Sequence, residues 1–268
     1  MAIAISADEL QIWKEVDGIF TADPRKVPTA CLLPSISPSE AAELTYFGSE
    51  VIHPHTMEQV IQAKIRIRIK NVINPKGAGT VISPNPTNIE VAPISRHSGY
   101  TLIRGRSSAD FRVPKRPTAV TVKRSVIVVN LRSNKTTRAH GFLSSIFQIL
   151  DIHHLSVDLI ASSEVHISLA LHSERPMVSG VYSSDDTDKE SLTIDDERLK
   201  RACNDLKELG SVDIITDMAI ISLVGQKLKN MIGISGRFFR VLGESGINIE
   251  MISQGASHGL KTLQAQQS

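Results

Sequence analysis

The sequence predicts an α/β layer block followed by two copies of a smaller α+β unit. Three observations support this fold class. Strand and helix patterns alternate over residues 1–83, a segment without periodicity covers residues 84–118, and residues 141–163 resemble residues 233–255 at an offset of 92. Alternating elements are typical of an α/β layer, and a long internal repeat is typical of duplicated units. We therefore divide the chain into an α/β block (1–83), a basic linker (84–118) and two repeated units (119–217 and 218–268).

Composition excludes several classes of protein. The 268 residues include 30 Lys and Arg against 28 Asp and Glu, so the net charge of +2 does not favour a nucleic-acid or membrane partner. Cys31 and Cys203 are the only cysteines, which excludes a disulfide framework and fits a reducing compartment. The chain start has no basic, apolar signal pattern, and no apolar run reaches the length of a membrane-spanning helix. We expect a cytoplasmic protein.

The first block begins with a strand at residues 10–13, LQIW, that leads into a loop with DG at 17–18 and DPR at 23–25. SPSE at 37–40 supplies a helix cap, a proline and a glutamate, which predicts a helix from Pro38 to Phe47. A second helix is expected over Thr56–Lys64. IRIRIKNVI at 65–73 alternates isoleucine with basic residues, as a half-buried strand does.

The loop after LQIW is the first candidate site, because ligands of α/β sheets lie beyond the carboxyl ends of strands. Lys14 and Arg25 could contact phosphate oxygens, and Phe20 could stack on a base. The alternative is a solvated connection, since no glycine-rich phosphate loop is present. His53 and His55 flank a proline without a carboxylate at ligand spacing, so we assign them a structural role.

The linker is locally basic through Arg96, Arg104, Arg106, Arg112, Lys115 and Arg116. A nucleic-acid contact there remains an alternative, which predicts strongly salt-sensitive binding. Only Tyr100 and Phe111 could stack on bases, so the residues favour a solvated linker.

Each repeated unit begins with a strand, at 126–131 and 219–224, followed by a helix and a second strand. In the first copy, VHISLAL at 165–171 alternates as a third strand, a helix is expected over Asp195–Leu209, and DIIT at 213–216 is expected to close the unit. The order βαββαβ is the ferredoxin-like arrangement.

A helix that begins near Gly141 offers unpaired backbone N–H groups to a carboxylate, and Asp158 on the neighbouring strand could bind an ammonium group. Both ends of a free amino acid would then find partners. The alternative is that the two units only pack as a dimer.

Three segments carry a resemblance: KEVDGIFTADPRKV at 14–27, PSEAAELTYFGSEVIHPHTMEQV at 38–60 and IRIKNVINPKGAGT at 67–80. They resemble the carboxyl-terminal part of the amino-acid-kinase domain of aspartate kinases, the fungal type most closely. The resemblance implies ATP with Mg²⁺ and aspartate as substrates, and nucleotide-proximal positions at Lys14, Glu15, Phe20, Arg25 and Glu50. Many relatives have Thr-Asp in place of Lys14-Glu15 and Lys in place of Glu50.

In that family a segment near KFGGTS and a GRGGSD-like segment hold aspartate and the phosphates, and neither occurs in this sequence. Phosphoryl transfer depends on several groups acting together, so we expect this chain alone to be catalytically incomplete. After SQGAS at 253–257, relatives continue with a strand, a helix and a strand. Here HGLKTLQAQQS is polar and aperiodic, so we expect the second unit to be incomplete, with strands that lack neighbours.

The two repeated units resemble the paired ACT domains of aspartate kinases, which bind amino-acid effectors. The resemblance implies feedback by an amino acid, threonine foremost, on a pathway toward threonine, methionine and isoleucine, and homo-oligomers formed through the ACT units. It also implies an effector region at Gly141, Phe142, Leu143, Ser156, Val157, Asp158, Ser163 and Glu164, and at Asn248, Ile249 and Glu250 in the second unit. The alternative function is a non-catalytic amino-acid-binding module that dimerises through these units.

Overall fold

A computed structural model describes residues 2–48, 52–53, 62–83, 117–134, 141–163, 165–172, 178–179, 193–225, 228, 231–254 and 259–265. Two compact units are present: unit 1 comprises Met1–Val122, Ile221–Phe239 and Gln254–Leu260, and unit 2 comprises Lys123–Ile220, Arg240–Ser253 and Lys261–Ser268. Most of the helix expected at Thr56–Lys64 and the linker up to residue 116 lie outside the described residues.

Within the described residues, the first sheet has four strands: β1 (Glu9–Lys14), β2 (Ser35–Ile36), β3 (Arg66–Asn71) and β4 (Thr80–Ile82). Their order is β1-β3-β4-β2. β1 pairs parallel to β3, β3 antiparallel to β4, and β2 parallel to β4. Ile67 and Ile69 on β3 are fully buried, because alternate residues of a strand point to the same face. The strands predicted at 10–13 and 65–73 are confirmed.

Helix α1 (Pro38–Tyr46) starts where the capping signals predict. Ser37 Oγ accepts a hydrogen bond from the backbone N–H of Glu40, and a Glu40 carboxylate oxygen accepts one from the backbone N–H of Ser37. This reciprocal capping box satisfies two backbone donors that the first helical turn leaves unpaired. Ala41 and Leu44 are buried in the same apolar cluster as Ile67. The helix therefore covers one face of the first sheet.

The second sheet has six strands in the part of the chain that is described, in the order β11-β12-β10-β5-β7-β6. They are β5 (Ala119–Ser133), β6 (Val157–Ser162), β7 (His166–His172), β10 (Gly210–Val224), β11 (Ile249–Gln254) and β12 (Gly259–Ala265). Helices α2 (Phe142–Ile152), α3 (Glu197–Lys207) and α4 (Ile234–Glu244) connect them, and β8 (Val178–Ser179) pairs with β9 (Thr193–Ile194) as a short separate sheet. The βαββαβ order predicted for the first repeated unit is confirmed by β5, α2, β6, β7, α3 and β10.

The core of the first repeated unit lies between its sheet and helices α2 and α3. Ile146 on α2 and Leu199 on α3 are almost completely buried against alternate residues of β5 and β7. Asp196 caps α3, because its carboxylate accepts hydrogen bonds from the backbone N–H groups of Arg198 and Leu199. Burial raises the pKa of the Cys203 thiol in this core.

The repeat is also visible in the backbone dihedral angles. Ser125 and Asp217, 92 residues apart, both have positive φ, at 57° and 54°, in the middle of their 15-residue strands. Gly141 and Gly233 have φ of 87° and 80°, while His154 and Gly246 have φ of 53° and 70°. β6 and α2 match β11 and α4 residue for residue at the same offset. The duplication therefore preserves the path of the backbone beyond the segment in which the side chains resemble each other.

The strands expected at 213–216 and 219–224 are both present, as parts of one continuous strand, β10. One expectation about strands is wrong. The polar segment after SQGAS forms β12, which lies between β10 and β11. Strand formation there depends on backbone hydrogen bonds to neighbours rather than on local apolar periodicity. β10 therefore has a neighbour on each side, whereas β11 forms an edge of the sheet.

Candidate functional site

The loops that follow β1 and β3 leave the first sheet at the same edge. The two strands run parallel, and Lys14, the last residue of β1, is the register partner of Asn71, the last residue of β3. The backbone N–H of Val72 donates to the carbonyl oxygen of Lys14 at 2.8 Å, so the two chains remain adjacent beyond the strands. This edge is where an α/β sheet binds ligands.

Asp17 joins these two loops. Its Oδ1 accepts hydrogen bonds from Nδ2 of Asn71 at 3.0 Å and from Nδ2 of Asn74 at 3.3 Å. Asn71 Oδ1 in turn accepts from the backbone N–H of Ile73 at 2.9 Å. One carboxylate therefore fixes both the chain after β1 and the turn after β3. Sequence reasoning noted the DG pair only as a turn signal and missed this role.

Thr80, the first residue of β4, makes hydrogen bonds that fix the loop after β1 close to the first sheet. Its hydroxyl donates to the carbonyl oxygen of Leu33 at 2.6 Å and accepts from the backbone N–H of Ile19 at 2.8 Å. The neighbouring Gly79 has φ of 71°, and a Cβ atom there would lie 2.0 Å from the carbonyl oxygen of Ile69. Only glycine fits this approach without a shift of the backbone. The loop after β3 is therefore constrained at both of its ends.

Of the predicted nucleotide-proximal residues, Lys14, Glu15 and Phe20 lie at the end of β1 or in the loop after it. Lys14 ends β1 and is half-buried, Glu15 is exposed, and Phe20 is half-buried in a bridge with Leu32. Glu50 lies outside the described residues. Trp13, which sequence reasoning did not single out, has the ammonium group of Lys70 5.0 Å from its ring centroid, within the range of a cation–π contact.

Arg25 is highly exposed, and its guanidinium binds Asp23 through two hydrogen bonds of 3.1 and 3.3 Å. The side-chain hydrogen bond from Arg25 holds the pKa of Asp23 below its ordinary value, and the same bond raises the pKa of Arg25. A phosphate group would have to displace Asp23 to be bound bidentately by Arg25.

The loop after β1 and helix α1 are hydrogen-bonded directly to the start of β5 and the residue before it, all within unit 1. The backbone N–H of Val120 donates to the carbonyl oxygen of Thr21 at 2.9 Å. The hydroxyl of Thr118 donates to Oε1 of the buried Glu40 at 2.5 Å. Ala119, between these two contacts, is buried in the apolar cluster of the first sheet. Residues Thr118–Val120 therefore contact the loop after β1 and helix α1 within unit 1.

The predicted effector residues of the first repeated unit lie in two places, at the start of α2 and along β6 with the turn after it. Gly141 is the N-cap residue and has no side-chain capping bond, Phe142 is half-buried, and Leu143 is exposed. Ser156 is exposed and Val157 half-buried at the start of β6, whose pairing with β7 shifts register between Val157 and Leu159.

Asp158 lies at this irregularity and already has a cationic partner. Its Oδ2 is 2.7 Å from Nζ of Lys123, and both side chains are less than a quarter exposed. The ammonium group of an amino acid would therefore compete with Lys123 for this carboxylate. The hydroxyl of Ser163 accepts from the backbone N–H of His166 at 3.2 Å, so it closes the turn after β6, and Glu164 lies outside the described residues.

In the second unit, Asn248 and Glu250 are exposed and Ile249 is half-buried at the start of β11. Glu250 is the repeat equivalent of Asp158, and the repeat equivalent of Lys123 is Ile215. The two copies of the predicted effector region therefore differ in charge.

Other chemistry is limited in the part of the chain that the structure describes. That part contains no group of three or more His, Cys, Asp or Glu residues able to hold a metal ion. His53 is exposed, and His55 lies outside the described residues. Cys31 and Cys203 are free thiols. None of the described helices has the length and apolarity needed to cross a membrane.

Comparison with known proteins gives a consistent result. The amino acid kinase family matches residues 1–71, and an ACT domain family matches residues 221–259. The aspartokinase of Schizosaccharomyces pombe is 52% identical over 263 residues, which cover 96% of this chain and 46% of that protein. The chain spans about half the length of the curated relatives it matches.

Two crystal structures of aspartokinase III from Escherichia coli are also similar to this chain at 28% identity. The complex with aspartate and ADP has a TM-score of 0.71 and covers 98% of this chain, which corresponds to 50% of that chain. The complex with lysine and aspartate has a TM-score of 0.68 and covers 98% of this chain and 49% of that chain.

Proposed function

The chain is a relative of the fungal aspartokinases over almost its whole length, and we propose that it supplies the nucleotide-side part of an aspartokinase together with its regulatory units. The proposed reaction transfers the γ-phosphoryl group of Mg·ATP to the side-chain carboxylate of aspartate. The observation that carries the proposal is the parallel pairing of β1 with β3, which brings the loops after both strands to one edge. This is the edge at which the sequence predicts nucleotide-proximal residues.

Lys14, Glu15, Phe20, Arg25 and Glu50 are the residues that we assign to the nucleotide side. Phosphoryl transfer needs positioning and charge stabilisation more than covalent chemistry, and cations at a constrained edge can provide both. Mg²⁺ enters in this proposal with the phosphates, as an ion that keeps several waters and few protein ligands. In this proposal, residues equivalent to the half of the relatives that this chain does not match would complete the aspartate side.

Feedback by an amino acid, with threonine as our first candidate, is the regulatory part of the proposal. It is supported by the ACT match at residues 221–259 and by an aspartokinase structure that contains lysine. The bonds from Thr118 and Val120 to α1 and to the nucleotide-side loop give β5 a physical means of biasing that loop. Coupling of two sites requires such an element with more than one arrangement.

We further propose that the chain forms homo-oligomers through its ACT-like units. Several exposed apolar residues on the second sheet and its helices support an association surface, among them Phe147, Ile160, Val241 and Ile252. The compartment that we propose is the cytoplasm, because both cysteines are free thiols.

The test is formation of aspartyl phosphate, trapped with hydroxylamine, from Mg·ATP and aspartate. It is carried out with the purified chain and with the chain co-purified with the amino-terminal half of a fungal aspartokinase. We expect turnover in the second sample, inhibited by threonine. If both samples lack turnover while the chain binds threonine in a calorimeter, the alternative of a non-catalytic amino-acid-binding module replaces the kinase proposal.

A further inference from the structure

The loop Val72–Gly79 carries a lysine, Lys76, that the proposed site has not used. Lys76 is exposed in the turn after β3, and among the described residues no carboxylate forms an ion pair with it. Lysine on a constrained loop is a common point-charge ligand for phosphate. The question is whether the structure holds this lysine at the nucleotide edge.

Four hydrogen bonds shape this loop and join it to the end of β1. Asp17 binds the amides of Asn71 and Asn74, on either side of Val72 and Ile73. The backbone N–H of Gly77 donates to the carbonyl oxygen of Asn74 at 3.0 Å, which closes the turn that contains Lys76. The carbonyl oxygen of Lys14 accepts a hydrogen bond from the backbone N–H of Val72. The turn that carries Lys76 therefore starts beside the end of β1.

We propose that Lys76 binds a phosphate group of the nucleotide and that Asp17 is the positioning residue that holds its loop at the site. The inference rests on the proposed kinase function. It assigns the loop after β3, together with the loop after β1, to the nucleotide-binding site. The carboxylate of Asp17 acts on Asn71 and Asn74 and does not touch the ligand.

The experiment is titration of the full chain with Mg·ADP and, separately, with adenosine in a calorimeter. Lys76→Gln should weaken binding of ADP about tenfold, the loss of one charge-assisted hydrogen bond, and leave adenosine binding unchanged. Asp17→Ala should weaken ADP at least as much, whereas Asp17→Asn should retain most of the affinity because its amide oxygen still accepts from both asparagines.

Matched controls are Lys200→Gln on an exposed face of α3 and Asp8→Asn just before β1, at the end of the strand away from the site. Both should bind ADP like the unmodified chain. If Asp17→Ala lowers the folded fraction, the titration is repeated with Asn74→Ala, a milder change that removes one of the two amides that donate to Asp17.

The outcomes separate the two proposals. An unmodified chain that binds neither ADP nor ATP overturns the nucleotide function and the inference with it. If the unmodified chain binds ADP and the Lys76→Gln and Asp17→Ala variants bind it with the same affinity, the inference is overturned and the nucleotide function is not. Equal losses of ADP and adenosine in Lys76→Gln also overturn it, because the lysine then acts on the fold and not on a phosphate.

Discussion

The hydrogen bond from Thr118 to Glu40 should be one of the strongest single contacts in unit 1. Thr118→Val keeps the shape of the side chain and removes the hydroxyl, so Oε1 of a buried carboxylate loses a donor at 2.5 Å. A hydrogen bond to a charged group contributes about 1.5–3 kcal/mol, and we expect a loss of about 2 kcal/mol in the free energy of unfolding. At a urea dependence of about 2 kcal/mol per molar, the midpoint should fall by about 1 M.

Trp13 makes this change measurable in the relevant part of the molecule. It is the only tryptophan of the chain and lies in β1, so its fluorescence follows unfolding of the first sheet. Thr29→Val, at an exposed position, is the control and should stay within about 0.5 kcal/mol of the unmodified chain. A double-mutant cycle with Glu40→Gln should give a coupling of at least about 1 kcal/mol. A coupling near zero would refute the reasoning that this bond joins β5 to α1.

Three further changes test other contacts. Lys123→Met should cost about 2 kcal/mol of unfolding free energy in urea, because Asp158 loses its cation in a partly buried position, and addition of Asp158→Asn should recover part of the loss. Gly79→Ala should destabilise by more than about 3 kcal/mol, because its Cβ would overlap a carbonyl oxygen. Gly141→Ala, also at positive φ but with nothing within 4 Å of its Cβ, should cost only about 1 kcal/mol in the same assay. Asp196→Ala should cost about 1 kcal/mol at neutral pH through loss of the α3 cap, as measured by circular dichroism in urea. The side-chain hydrogen bond from Arg198 lowers the pKa of Asp196 from its ordinary value, so the difference from the unmodified chain should be complete above that ordinary value and shrink as the pH falls through the lowered one; a difference that grows on acidification would contradict this.

Local sequence signals predicted the elements whose stability is local. The start of α1 followed from a cap, a proline and a glutamate within four residues, and the same residues form the observed capping box. β3 followed from strict alternation, which its buried isoleucines confirm. The capping partners of α1 are three residues apart, and the alternation of β3 is a property of its own residues, so residue order and side-chain chemistry were sufficient to predict both.

Contacts between distant residues could not be predicted in the same way. Asp17 and Asn74 are separated by 57 positions, and only the parallel register of β1 and β3 brings their loops together. Asp158 was predicted as a partner for an ammonium group, and its ion pair with Lys123, 35 positions away on another strand, could not be read from the sequence. β12 was missed because its own residues carry no strand periodicity, and its position depends on the strands on either side. The assignment of the individual site residues stays a prediction.

The shared backbone path of the two repeated units has a consequence for folding errors. While the chain folds, a strand from one copy meets two targets of similar shape, which is the situation that favours misassembly in repeat proteins. Side-chain differences at equivalent positions can discriminate between them. If β6 paired within the wrong copy, Asp158 would face Ile215 in place of Lys123, and a carboxylate would lose its cation. We therefore expect the charge difference between the copies to disfavour this mispaired arrangement.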